Sequence, residues 1–204
     1  MLGTNPLTFG IPTDEEFPFL LDCASSVSQR GKIEVYDRLD KDIPPGWVID
    51  VDGNTRTDTK QILLDLVSGN AALTPLGGLG EENAGYKGYG YSTVVEILSA
   101  ALQSGPFMKA LSGYDPEGNP RPYSLGHFFI AINIEAFTEL GEFQKITGDI
   151  LRALRASRKA PGQERIYTAG EKEFLASLKV GHRGVPVNRV LQEQIKQMSQ
   201  ELGI

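Results

Sequence analysis

Asp22 closes the apolar run Phe17-Pro18-Phe19-Leu20-Leu21 and is followed by the small residues Cys23-Ala24-Ser25-Ser26. A carboxylate ending a strand can orient an acid–base partner and stabilise its charged form, and burying it unpaired is costly. Further along, Leu76-Gly77-Gly78-Leu79-Gly80 and Gly85-Tyr86-Lys87-Gly88-Tyr89-Gly90 form a glycine-rich stretch that carries one cation, Lys87. Glycines let backbone approach a ligand, a helix N-terminus after them attracts anions, and lysine adds a point charge. A flexible turn with a solvated lysine accounts for the same residues. Neither standard nucleotide motif is met. Gly78-Leu79-Gly80-Glu81-Glu82-Asn83 fails the dinucleotide fingerprint at its third glycine, and Gly85 is followed by Tyr86 where a phosphate loop needs lysine.

Other chemistries are excluded residue by residue. Asp50-Val51-Asp52-Gly53-Asn54 begins like a calcium loop, but Thr55 stands where glycine is required and Gln61 where the bidentate glutamate belongs. It reads as a surface turn. His127, ahead of Phe128-Phe129, is read as a core histidine with a satisfied hydrogen bond rather than a general base. His182 lies in Gly181-His182-Arg183-Gly184 and reads as a solvent-facing loop residue. With two histidines and one cysteine, Cys23, neither a metal centre nor a thiol–histidine dyad is indicated, and no G-x-S-x-G elbow is present.

The elements that must position these residues follow from pattern. Leu7 to Ile11 reads as a strand stopped by Pro12, and Phe17 to Ala24 as a strand buried on both faces. Helices are expected over Ser26 to Tyr36, from Ser92 onward, Glu142 to Lys159, Glu173 to Lys179 and about Asn188 to Leu202. Gln61 to Ser68 fits a short helix or strand, and Gly126-His127-Phe128-Phe129-Ile130-Ala131-Ile132 a second buried strand. No repeat, low-complexity linker or domain boundary is visible.

Composition narrows the class. Hydrophobic residues are 40% and charged residues 23% of the 204, a globular balance, and the net charge of −6 argues against binding nucleic acid backbone. There is no apolar run of membrane-spanning length and no signal-peptide pattern, so a soluble, cytoplasmic protein without a membrane partner is expected.

Taken in order, several blocks resemble the type 2 malate/L-lactate dehydrogenase family over essentially the whole chain. They are Gly3-Thr4-Asn5-Pro6-Leu7, Leu20 to Ser26, Gly31-Lys32, Ile43-Pro44-x-Gly46-Trp47, Asp50-x-Asp52-Gly53, Pro75-Leu76-Gly77, Gly85 to Gly90, Gly126 to Ile132 and Gly170-Glu171-Lys172-Glu173. The family also holds ureidoglycolate, sulfolactate and diketogulonate oxidoreductases and a cyclic-imine reductase. The resemblance implies an α/β, non-Rossmann, sulfolactate-dehydrogenase-like fold, with a mixed, mainly antiparallel sheet flanked by helices. It implies one incomplete catalytic domain over residues 1–204 that includes most of the cofactor-binding region.

The implied reaction passes a hydride between NAD or NADP and a small 2-hydroxy or 2-keto acid. By the same resemblance Leu20, Leu21, Asp22, Cys23 and Ala24 lie along the cofactor. Tyr86 and Lys87 line it, and Gly170, Glu171 and Lys172 close over it. Asp22 is also the catalytic candidate, orienting the histidine that moves the proton. Family members carry that histidine in an N-terminal Ser-His-Gly motif, which neither His127 nor His182 matches. The chain is therefore expected to begin mid-sheet with exposed strand edges near Phe9 and Phe19. It is expected to work as a homodimer, or with a partner chain that supplies the missing segment. Two alternatives share these residues: a remnant without turnover, and a module that binds a small anion or dinucleotide.

Overall fold

The computed structural model describes residues 2 and 4–204, so Gly3 of the first block lies outside the described residues. Along the chain run β1 (Pro6–Ile11), β2 (Phe19–Ala24), α1 (Arg30–Arg38), β3 (Val48–Asp50), β4 (Thr55–Arg56), α2 (Thr59–Ser68) and β5 (Ala71–Leu73). They are followed by α3 (Gly85–Ala100), α4 (Leu140–Ala156), α5 (Glu171–Arg183) and α6 (Arg189–Leu202). β1 pairs with β2, and β3 lies between β4 and β5 in an antiparallel sheet that sets Val48 opposite Arg56 and Leu73. Small antiparallel sheets flanked by helices are the mixed α/β class expected.

The chain divides into two compact units. One holds the residues up to Phe9 together with Leu21–Phe137; the other holds Gly10–Leu20 and Thr138–Ile204. No boundary was legible in composition, because each unit is assembled from two separate stretches of chain.

In the first unit the core is Ile33, Ile43, Val48 and Ile62, with Tyr36, Trp47, Leu63, Leu66, Ala71 and Leu73 packed on it. α2 supplies Ile62 and is fixed at both ends. The Asp58 carboxylate accepts from the Lys60 and Gln61 amides, and Gly69 takes a left-handed φ of 81° at the other end. Asp50 accepts from the Asp52 and Asn54 amides at 3.0 and 2.9 Å, the surface turn expected there.

In the second unit Phe17 stacks on Phe174 with centroids 5.0 Å apart. Arg152 makes a bidentate pair with Asp14 at 2.9 and 3.0 Å and also reaches Asp149 at 2.8 Å. Arg155 pairs with Glu15 and stands 3.6 Å from Glu171. α6 is capped by the Asn188 side chain, which accepts from the Leu191 amide at 2.9 Å.

Several expectations are corrected. The strand ending at Ala24 forms as β2, but none of its residues is buried, so it is not the doubly covered strand that its apolar run suggested. The first helix begins at Arg30 rather than Ser26, after a turn in which the buried Ser26 hydroxyl donates to the Ser28 carbonyl. α3 begins at Gly85, so Gly85 to Gly90 is helix and not loop, while the first part of the glycine stretch, Leu76 to Gly80, is turn. Gly126 to Ile132 forms no strand, and the residues from His127 to Ile132 are exposed. His127 is therefore not a core histidine. His182 faces solvent as expected, but in the last turn of α5.

Candidate functional site

In the first unit, the end of β2 is tied to two distant stretches. The Ser25 amide donates to the Asn5 carbonyl at 3.1 Å, and the Leu76 amide donates to the Ser25 carbonyl at 2.9 Å. The Asn5 side-chain amide donates to the Ser92 carbonyl at 3.0 Å and to the Glu96 carboxylate at 2.9 Å. Three of the sequence blocks, those of Asn5, Asp22 and Leu76, are thus joined by hydrogen bonds into one local structure, and Asn5 ties it to Ser92 and Glu96 of α3. Asn5 was not singled out as a functional residue. Its place before Pro6, where an amide side chain can bridge backbone segments, is the signal that marks it.

Asp22 is exposed rather than buried, and its Oδ1 accepts from the Thr8 hydroxyl at 2.8 Å. Asp22 is therefore neither buried nor unpaired, with the Thr8 hydroxyl of β1 as its partner. Leu21, Cys23 and Ala24 are half-buried beside it.

The glycines of the next block have a structural cause. A Cβ on Gly85 would sit 2.1 Å from the Gly78 carbonyl oxygen, and one on Gly88 would sit 2.2 Å from that of Leu76. They let the start of α3 press against residues 76–80. The Gly85 amide donates to the Gly80 carbonyl at 3.3 Å and the Lys87 amide to that of Ala84 at 3.0 Å, so these donors of the helix start are already engaged. Tyr86 and Lys87 point their side chains to solvent, with the Lys87 ammonium 5.9 Å from the Tyr86 ring centre. Among the described residues no ion pair joins Lys87 to Asp22. A hollow of about 370 Å³ opens between Trp47, Gly77, Gly78 and Asn83.

The second unit holds the rest of the set. Leu20 donates its amide to the Ala169 carbonyl at 3.2 Å, and a Cβ on Gly170 would lie 3.0 Å from the Leu20 Cβ. Gly170 is the N-cap of α5 at φ 88°, a conformation that disfavours any side chain. Glu171 is 1% exposed and accepts from the Thr168 amide at 3.1 Å, with Arg165 and Arg155 as its ion partners. Burial works to raise its pKa, but the Thr168 amide and the two guanidiniums outweigh it and hold the carboxyl below the usual glutamate range. That carboxylate is committed inside its own unit. Lys172, next along, is exposed and lies 4.9 Å from the Tyr167 ring centre.

Among the described residues no cluster of histidine, cysteine and carboxylate groups could hold a metal ion, and no helix is long and apolar enough to cross a membrane. The malate/L-lactate dehydrogenase family model matches residues 1–196. The chain belongs to this family. It is 39% identical over 204 residues to a malate dehydrogenase of Pyrococcus horikoshii, covering 100% of this chain and 54% of that protein. It is 31% identical to an L-sulfolactate dehydrogenase of Methanocaldococcus jannaschii, with the same coverage of each. The solved malate dehydrogenase of Entamoeba histolytica superposes with a TM-score of 0.90 at 41% identity, over 99% of this chain and 55% of that one. The chain spans about half the length of the relatives it matches. The glycines of the two blocks, at Gly85 and Gly170, are required by tight packing of chain on chain.

Proposed function

We propose that these 204 residues form the cofactor-binding part of a nicotinamide-dependent oxidoreductase acting on a small 2-hydroxy or 2-keto acid. The observation that carries this is the family match across residues 1–196, joined to relatives that are malate, sulfolactate and ureidoglycolate dehydrogenases. NAD is taken before NADP because the ureidoglycolate dehydrogenase of Escherichia coli is named for NAD(+). A cytoplasmic location and a homodimeric or two-chain assembly belong to the same proposal and rest on the family resemblance.

The residues present suit such a cofactor on physical grounds. In the first unit, Lys87 and Tyr86 offer an exposed cation and an aromatic face in solvent, the groups that meet a diphosphate and a ring. In the second, Lys172 offers another exposed cation beside the rigid Gly170 turn. Bound NAD or NADP would supply the hydride acceptor or donor for the substrate's C2. Asp22, held through Oδ1 by Thr8, would present its other oxygen to the imidazole of a Ser-His-Gly segment, fixing its tautomer and stabilising its protonated form. Calorimetric titration of NAD and NADP into the protein tests the reading. Saturable binding that Lys87→Ala weakens by about 1–3 kcal/mol supports it. Binding unchanged by that substitution would return Lys87 to the role of a solvated surface lysine, and no binding of either dinucleotide would contradict the proposal.

A further inference from the structure

α3 is tied to the end of β2 along a single stripe. Gly88, Ser92 and Glu96 recur every fourth residue of that helix and so lie on one face. Gly88 and Ser92 are buried, and Glu96 is half-buried. At Gly88 the helix presses on Leu76, whose carbonyl oxygen would stand 2.2 Å from a Cβ there, and the Leu76 amide in turn donates to the Ser25 carbonyl. At Ser92 and Glu96 the helix meets Asn5. The Asn5 side chain uses its amide hydrogens on the Ser92 carbonyl and Glu96 Oε2, while the Asn5 carbonyl accepts from the Ser25 amide. Ser25, three residues past Asp22, is thus held on both its amide and its carbonyl by groups that bear on α3.

Glu96 also holds the chain that leaves the helix. Its Oε1 accepts from the Met108 amide at 2.7 Å. Met108 and Ser104 both stand at φ 49°, in the left-handed region that disfavours a side chain, so the return past the helix end needs such an anchor. Two donors from distant stretches therefore converge on the two oxygens of one carboxylate. Hydrogen bonds to an ionised acceptor are the stronger kind, and a glutamine cannot copy the pair because one of its two ends is a donor.

We propose that Glu96 is a positioning residue, which acts through Asn5 to set the end of β2, with Asp22, against α3, whose first turn carries Tyr86 and Lys87. It lies about two and a half helical turns beyond Lys87, so its part is to hold the helix and not to touch a cofactor. The proposal rests on the functional reading for what is positioned; the clamp itself rests on the hydrogen bonds.

Reversing the polarity of the Asn5–Glu96 bond tests it. Asn5→Asp sets two carboxylates against each other, and adding Glu96→Gln puts an amide donor back between them. Two quantities are read on the folded proteins. One is calorimetric affinity for NAD and NADP; the other is the rate at which a chromogenic disulfide reagent modifies Cys23, the one cysteine of the sequence, next to Asp22. Asn5→Asp should weaken dinucleotide binding about tenfold and speed Cys23 modification by a similar factor. The double variant should recover much of both, short only of the bond to the Ser92 carbonyl. Glu96→Gln alone keeps one acceptor and should fall between the unchanged protein and Asn5→Asp; it carries the test if Asn5→Asp does not fold. A double variant no better than Asn5→Asp overturns the proposal. So does a lowered melting temperature with affinity and Cys23 rate both unchanged, the mark of a role in stability alone. If the unchanged protein binds neither dinucleotide while the Cys23 rates keep the expected order, the functional reading fails and the clamp is upheld.

Discussion

Residues 33–73 and residues 102–137 belong to one unit and both carry frequent apolar side chains, yet they end differently. In the first stretch Ile33, Val48 and Ile62 are 0% exposed, closed in by α1, α2 and the β4-β3-β5 sheet. In the second, among the described residues, no large apolar side chain is buried, and Leu102, Phe107, Tyr123, Phe129 and Phe137 all stand more than half exposed. The pattern of apolar residues states a need for cover; neighbouring elements decide whether it is met. The first stretch meets it locally, with two helices and three strands inside about forty residues. The second has only short 3-10 turns to offer.

The contrast makes its largest prediction for the closed core. Ile62→Ala should cost about 2–5 kcal/mol by denaturant unfolding, because it removes a fully buried side chain from close packing. Ile130→Ala should change stability by less than about 0.5 kcal/mol. Equal effects would erase the difference between the two stretches.

A comparable closure in the second unit is made of charge. Glu171→Gln keeps the shape but removes the partner of Arg165 and Arg155, and should cost about 1.5–3 kcal/mol at neutral pH. Its pKa in the native protein is held below the ordinary glutamate value of 4.5. The stability it adds is therefore complete above that pH and lost as pH falls through the native pKa. Thermal unfolding of the two proteins should converge at acid pH; a difference that persists there would show that packing, not charge, is at stake. Gly148→Ala should act more weakly. Its Cβ would fall 1.7 Å from Asp14 Oδ1, which must swing off Arg152. The overpacking of about 1–3 kcal/mol is offset in part by the about 1 kcal/mol that alanine gains over glycine in a helix. A net gain in melting temperature would show that the Asp14–Arg152 pair is dispensable.

The smallest effects on stability belong to the exposed candidates. Asp22→Asn and Lys87→Ala should each shift unfolding by less than about 0.5 kcal/mol, since the first can still accept from Thr8 and the second loses no packing. A larger loss for Asp22→Asn would make it a structural cap.

Helices were legible wherever their pattern could be satisfied within one unit: α4, α5 and α6 lie within a few residues of their expected spans. The start of α3 was not, because Gly85 to Gly90 reads as loop by propensity and is helical through close packing on residues 76–80. Residues 126–132 failed for the opposite reason: their strand pattern is real, but a strand needs a neighbour that no alternation of side chains can supply. The candidate residues were named mainly through family resemblance. What local reasoning lacked was exposure: it buried Asp22 and His127, both of which face water, and it left open that Glu171 would be turned inward.

The most direct measurement is turnover on recombination. The protein should be assayed with NADH or NADPH and oxaloacetate, pyruvate or a related keto acid, alone and with the unmatched portion of the Entamoeba histolytica malate dehydrogenase. The account predicts no turnover by the protein alone and measurable turnover in the mixture, lowered about tenfold or more by Asp22→Asn. Enzyme-level turnover by these 204 residues alone would contradict it, and so would a mixture that forms the paired complex yet reduces nothing.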